Sequence, residues 1–206
     1  MSTSVSGRRT GHRVRVVFGA VVAVVLLSVS AVNAQKGSFT DPRDGKKYRT
    51  VRIGNLTWMA KNLNYATPSG SFCYDDDLSN CAKYGRLYDW KTAMKACPAG
   101  WRLPGNAEWN DLVKAAGGNV AGKKLKARSP AWNGTDDFGF SALPGGGRFT
   151  GGNFDDAGSI GHWWSATEDE DGSDDALGQL MHSSDGSVIE FGNGKGDGYS
   201  VLCVQD

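Results

Sequence analysis

Cys97-Pro98-Ala99-Gly100-Trp101-Arg102-Leu103-Pro104-Gly105-Asn106-Ala107-Glu108-Trp109 gathers one cysteine, two prolines, two glycines and two tryptophans into thirteen positions. It reads as the joint between two helices. Upstream, Asp89 is placed to N-cap a helix that carries Trp90, Ala93, Met94 and Cys97 at i, i+3, i+4 and i+7. That spacing is one apolar stripe, and it turns Cys97 toward the core. Pro98 stops the helix by disfavouring helical backbone at the residue before it. Downstream, Gly105 takes the next cap position, and Glu108 is spaced to return a hydrogen bond to the N–H of the cap. Trp109, Leu112, Val113 and Ala116 form the second apolar face, which Gly117-Gly118 ends. Trp101 and Leu103 are expected to plug the corner between the helices.

Cys97 needs a partner, and three other cysteines follow the amino-terminal segment: Cys73, Cys81 and Cys203. Cys73 and Cys81 flank a polar stretch, Tyr74 to Asn80, that a local bridge would hold, leaving Cys97 to reach Cys203. A loop of that length stabilises by about 4 to 5 kcal/mol in the chain-entropy treatment, the short one by about 2 to 3. Zinc is the competing use of four cysteines, but no C-x-x-C pair occurs.

Disulfides call for an oxidising compartment, and the amino terminus supplies a route to one. Arg8, Arg9, Arg13 and Arg15 precede an apolar stretch, Val16 to Val32, and small residues lead up to Gln35. This is the order of a secretory signal spanning residues 1–34. The competing reading is an uncleaved anchor, since the stretch is near the shortest length that spans a bilayer. The residues after Arg8-Arg9 do not fit a twin-arginine signal, and no cysteine stands near the cleavage point to carry a lipid. Removing the segment's four arginines moves the net charge from +1 to −3, so nucleic acid is not an expected partner. Residues 35–206 suffice for one domain, without a further run able to span a membrane.

Glycine is abundant, 29 residues, and helix-period patterns are few. This points to an α+β domain of short strands and long, shaped loops. Expected strands are Lys47–Ile53 and Leu56–Met59 about a Gly54-Asn55 turn, then Gly139–Leu143, His162–Ala166 and Leu177–His182. Asp185-Gly186 should turn into Ser187–Phe191, and Tyr199–Val204 should be the last strand, carrying Cys203.

Several blocks in order carry a resemblance. They include Trp58-Met59-Ala60-Lys61-Asn62-Leu63-Asn64, Tyr84-Gly85-Arg86-Leu87-Tyr88-Asp89-Trp90 and Cys97 to Pro104. Phe138-Gly139-Phe140-Ser141-Ala142-Leu143-Pro144-Gly145-Gly146, Trp163-Trp164-Ser165-Ala166-Thr167-Glu168 and Ser200-Val201-Leu202-Cys203-Val204 follow. Together they resemble the Fibrobacter succinogenes major paralogous domain family, which is exported and has no assigned activity. The resemblance implies a C-type lectin-like fold, whose hallmark disulfide joins the first helix to the last strand. Arg102-Leu103-Pro104 with Ala107-Glu108-Trp109 also resembles the formylglycine-generating-enzyme domain. Those oxidases use a close pair of carboxyl-terminal cysteines, and this chain has only Cys203 there.

The sugar-binding tripeptides of calcium-dependent lectins do not occur, and Trp132-Asn133-Gly134 puts glycine where a calcium-coordinating carboxylate would stand. Among seven tryptophans, Trp90, Trp101 and Trp109 read as core. Trp132 lies in a polar loop, and Trp163 and Trp164 point to opposite faces of a strand, so these three are the candidates for ligand contact. The acidic runs Asp75–Asp77, Glu168–Asp171 and Asp174-Asp175 lack EF-hand spacing and read as solvated loops. Asp136-Asp137 is the remaining acid pair, and adjacency says nothing of the separation glycoside cleavage needs. His12 falls in the signal, and His162 and His182 are expected to lack a nearby Ser or Cys free to act as nucleophile. No catalytic residue, metal or cofactor is assigned. The expectation is a non-catalytic binding or adhesion module, periplasmic, on the cell surface or extracellular, with a polysaccharide or surface protein as partner. The alternatives are a hydrolase using loop carboxylates and a structural envelope protein.

Overall fold

Near-alternation of inward and outward side chains builds the first sheet. Gln35–Thr40 (β1) pairs antiparallel with Lys47–Ile53 (β2). In β2, Tyr48, Thr50, Val51 and Ile53 are buried while Lys47, Arg49 and Arg52 are exposed. Gly54-Asn55, with Gly54 at φ +63°, turns β2 into Leu56–Met59 (β3), and Val204–Gln205 (β12) completes the order β1-β2-β3-β12. The computed structural model describes residues 1–4, 7, 35–170 and 174–206. Apart from residues 1–4 and 7, the expected signal, with its arginines, His12 and Val16–Val32, lies outside the described residues, as does Asp171.

A second sheet of six strands has the order β10-β9-β8-β11-β5-β4. Its members are Ser71–Phe72 (β4), Leu87–Tyr88 (β5), Ile160–Glu168 (β8), Asp175–His182 (β9), Ile189–Gly194 (β10) and Tyr199–Ser200 (β11). Only β11 and β8 run parallel. Gly147–Arg148 (β6) and Phe154–Asp155 (β7) form a separate hairpin. The helices are Leu78–Tyr84 (α1), Trp90–Ala96 (α2), Asn106–Ala116 (α3) and Ala121–Leu125 (α4). The chain is thus mixed α+β, with no described helix long and apolar enough to cross a membrane.

The joint is built as its sequence suggests. Asp89 accepts from Thr92 N at 2.7 Å, and Glu108 Oε2 accepts from Gly105 N at 2.7 Å. Trp101 and Leu103 are buried, and α3 ends on Gly117 in the left-handed region at φ +110°. Cys97 is bonded to Cys203 and Cys73 to Cys81. Three readings need correction. Helix α2 stops at Ala96, and its buried face is Ala93 and Ala96, whereas Met94 is 42% exposed. With Ala93 and Ala96 turned inward, Met94 is rotated about 100° from Ala93 toward solvent, and Pro98 keeps Cys97 extended at ψ 143°. Gly139–Leu143 is not a strand, because Gly139 at φ +74° and Ser141 at φ +55° turn the backbone, leaving one bridge from Ala142 to Lys126.

The expected last strand, in turn, is two. β11 belongs to the second sheet and β12 to the first, with Val201, Leu202 and Cys203 buried between them. Leu63 N and Met59 N donate to the carbonyls of Val201 and Cys203 across this crossing, at 2.8 and 2.9 Å. The long disulfide therefore pins the helical joint to the point where the chain passes from one sheet to the other.

The core joins the two sheets through aromatic rings. Trp58 packs against Trp109 at 5.1 Å and Phe140 at 5.7 Å, and Trp109 meets Trp163 at 6.4 Å. Each such ring, fully buried, stabilises by roughly 1.5 to 3 kcal/mol. Asn62, 1% exposed, is the polar node at this junction: it donates to Tyr84 O and Ser200 Oγ and accepts from Trp163 Nε1.

A loop-built cleft as candidate functional site

The carboxyl end of α1, the loop after α4, Leu143-Pro144 and Gly158 surround a cleft of about 360 Å3. Each wall is fixed by a separate device. Helix α1 starts on the Asp77 carboxylate, which accepts from Ser79 N at 2.8 Å, and is tied at Cys81 by the short disulfide. At its far end Asn62 Nδ2 donates to Tyr84 O at 2.8 Å, which holds the Tyr84 ring in the cleft floor.

The loop after α4 needs its glycine. A Cβ on Gly134 would stand 2.2 Å from Ala127 O and 2.4 Å from Lys126 O, so only glycine lets the loop close on itself. Lys126, fully buried, donates from Nζ to His182 O and Asp185 O at 2.8 and 2.7 Å and lies 5.0 Å from the Trp132 ring centre. Burial pushes this ammonium below its ordinary pKa. Trp132 Nε1 donates to Ala142 O at 2.8 Å, which joins the loop to the third wall. There, Asp136 accepts from Ser141 N and Oγ at 2.8 and 2.6 Å, and Gly158 N donates to Pro144 O at 2.9 Å.

The floor is apolar and the rim cationic. Tyr84, Trp132, Leu143 and Pro144 supply the first; Lys83 and Arg128, both exposed, supply the second. Lys83 Nζ lies 4.5 Å from the Tyr84 ring centre, and Arg128 spends one Nη2 bond on Thr135 O at 3.0 Å. No carboxylate is among the lining residues. A second groove of about 330 Å3 runs between the β2–β3 turn and α3. Its charges are mixed, Glu108, Asp111 and Lys114, and Glu108 is already committed. Two Arg102 nitrogens reach Glu108 at 2.7 and 2.5 Å and hold its carboxyl below the usual range.

The three tryptophans singled out for ligand contact are not exposed. Trp132 is 2% exposed, and Trp163 and Trp164 are wholly buried. The reason is that β8 is covered on both faces. Trp163 meets Trp109 of α3, while Trp164 packs on Tyr199 at 4.5 Å and donates to Tyr88 O. Trp132 still borders the cleft, but its exposed area is too small to serve as a stacking face. Trp101 and Trp109 are buried and Trp90 is half-buried, with its Nε1 donating to Ser165 O.

Of the remaining titratable candidates, Asp136 and His182 are tied into turns and His162 is buried in β8. Asp136 is consumed by Ser141, and Asp137 is exposed. His162 is 7% exposed, its Nε2 lies 3.1 Å from Asp156 Oδ2, and its Nδ1 is buried with no hydrogen-bond partner. Tyr199 stacks on its ring at 5.0 Å, and Phe149 and Phe191 meet it edge-on. Burial pushes the imidazole pKa down against the opposing pull of Asp156. His182 has a serine nearby: Ser184 Oγ is 2.7 Å from Nδ1. That nitrogen also accepts Ser184 N at 3.0 Å, so the pair closes an exposed turn rather than aiming a nucleophile into a pocket. Among the described residues no group of three His, Cys, Asp or Glu side chains could hold a metal ion.

Sequence reading missed Lys83, Arg128 and Leu143, because they come from separate segments and no local pattern joins them. The helix α1 that positions Lys83 was also missed, since only Cys81 and Tyr84 of its seven residues are buried. No curated protein and no solved structure matches the chain. Residues 51–205 match the Fibrobacter succinogenes major domain, and with most of its 206 residues inside that span the chain belongs to this family.

Proposed function

We propose that this protein is an exported, non-catalytic binding or adhesion module that takes its ligand in the loop-built cleft. The carrying observation is the make-up of that cleft: an apolar floor, a cationic rim and no carboxylate, histidine or cysteine in the lining. Such a lining can hold and orient a ligand, but Ser129 has no histidine or carboxylate in the lining to act as its base. The two disulfides and the basic-then-apolar amino terminus support export. A lectin-like architecture is part of the proposal, supported by the Cys97–Cys203 link between the α2 joint and the terminal crossing. Against the hydrolase reading, Asp136 of the loop pair is engaged by Ser141, and neither Asp136 nor Asp137 lines the cleft.

The test applies the full chain to glycan arrays, cellulose and immobilised surface-protein fractions, with parallel turnover assays on the same materials. Retention without turnover is the expected result. Substrate turnover with multiple product release and no retention would overturn the module reading.

A further inference from the structure

We infer that the cleft selects an acidic peptide segment of a partner protein, one that sets an apolar side chain beside a carboxylate. The inference rests on the binding-module reading and decides between its two ligand classes. Polysaccharide recognition by aromatic residues needs an exposed ring face to stack on the sugar, and here Tyr84 is 9% and Trp132 2% exposed. What the cleft does present is aliphatic: Leu143 and Ala127 are half-buried and Ala131 is exposed. That surface gains by covering an apolar side chain, which a peptide has and an acidic sugar lacks.

The rim supplies the second requirement. Lys83 and Arg128 stand exposed on separate walls, one on α1 and the other on the loop after α4. Arg128 engages Thr135 O through a single nitrogen, leaving donors of its planar guanidinium for a carboxylate. No carboxylate of the lining competes for either cation. Charge complementarity therefore favours an anionic occupant and disfavours a basic one by like-charge repulsion.

The experiment measures binding of acetylated, amidated peptides in which Leu or Phe is flanked by Glu, with Gln-flanked versions as controls. Polygalacturonate and cellulose are the carbohydrate probes, and the proteins are the full chain, K83E and R128E. Both substitutions fall on exposed side chains, and an unchanged thermal midpoint shows that the fold is kept. The inference expects Glu-flanked peptides to bind at least tenfold more tightly than Gln-flanked ones. It also expects each charge reversal to weaken that binding at least tenfold, with amide shifts at Lys83, Arg128 and Leu143. Polygalacturonate binding that needs Lys83 and Arg128, with no peptide binding, overturns the peptide assignment and leaves the module reading intact. Peptide binding that both reversals leave unchanged overturns the cleft assignment alone. No binding of any peptide or polysaccharide overturns both.

Discussion

Replacing Asn62 with Ala tests whether one buried amide couples the two sheets. Its side chain makes three hydrogen bonds in a 1% exposed position: to Tyr84 O at 2.8 Å, to Ser200 Oγ at 3.1 Å and from Trp163 Nε1 at 2.8 Å. The Ser200 hydroxyl loses only a donor to its oxygen and keeps its own O–H to donate, so it is the least affected partner. The Trp163 N–H cannot, since its ring is wholly buried against Trp109, and Tyr84 O sits at a helix end. Two orphaned groups at about 1 to 3 kcal/mol each give an expected loss of about 4 kcal/mol. In a domain of this size that lowers the melting midpoint by about 8 to 16 °C. Scanning calorimetry and urea titration of the full chain measure it, with the urea slope unchanged. Trp163→Phe removes the donor, so in the Asn62→Ala background it should cost at least about 1 kcal/mol less than alone. An Asn62→Ala loss below about 1 kcal/mol, or additive single and double variants, would refute the coupling.

The two disulfides should differ in worth, because they close chain separations of 106 and 8 residues. The Cys97→Ala/Cys203→Ala double variant should lose about 4.8 kcal/mol and the Cys73→Ala/Cys81→Ala variant about 2.5 kcal/mol; equal losses in urea titration count against the loop-length argument. The buried imidazole of His162 predicts a pH effect. Its folded pKa lies below the unfolded value of about 6.5, so on acidification the unfolded chain takes up a proton that the folded chain refuses. The contribution is present above that value and is lost as pH falls toward the lowered folded pKa. His162→Gln should flatten the slope of melting midpoint against pH in that window, and a slope identical to the parent's would assign it elsewhere.

The joint was legible because its signals are local. A cap, its returning glutamate, a proline stop and a left-handed glycine each act within four residues, and each is found in place at Asp89, Glu108, Pro98 and Gly117. Strands β2, β3, β8 and β9 were legible for the same reason, as short β-rich runs, whereas the two-residue β4 and β5 were not. What failed depended on distant partners. Tyr199–Val204 reads as one strand, yet its ends pair with β8 and β3 in different sheets. Trp163 and Trp164 alternate as expected, but alternation cannot say that α3 covers one face and the ring of Tyr199 the other. Ser141 and Asp136 hide their left-handed backbone in a segment whose composition looks extended.

The division between legible and illegible also falls across the cleft. Its floor residues Tyr84, Leu143 and Pro144 stand within the blocks that carry the family resemblance, as do the buried Asn62, Trp163 and Cys203 that fix the walls and core. Lys83, Arg128, Ser129 and Ala131 stand outside those blocks. The floor is constrained from beneath by packing: Tyr84 O is held by Asn62 and Pro144 O by Gly158 N. The rim side chains Lys83 and Arg128 are exposed and carry almost no such constraint. A charge there can change without cost to the core, because surface substitutions away from buried contacts shift stability by about 0.5 kcal/mol or less. The same change alters which ligand charge is attracted, since complementarity at a rim sets specificity and encounter rate. Under the proposed binding function, the packed floor sets the position of the cleft and the Lys83–Arg128 rim sets its charge selectivity.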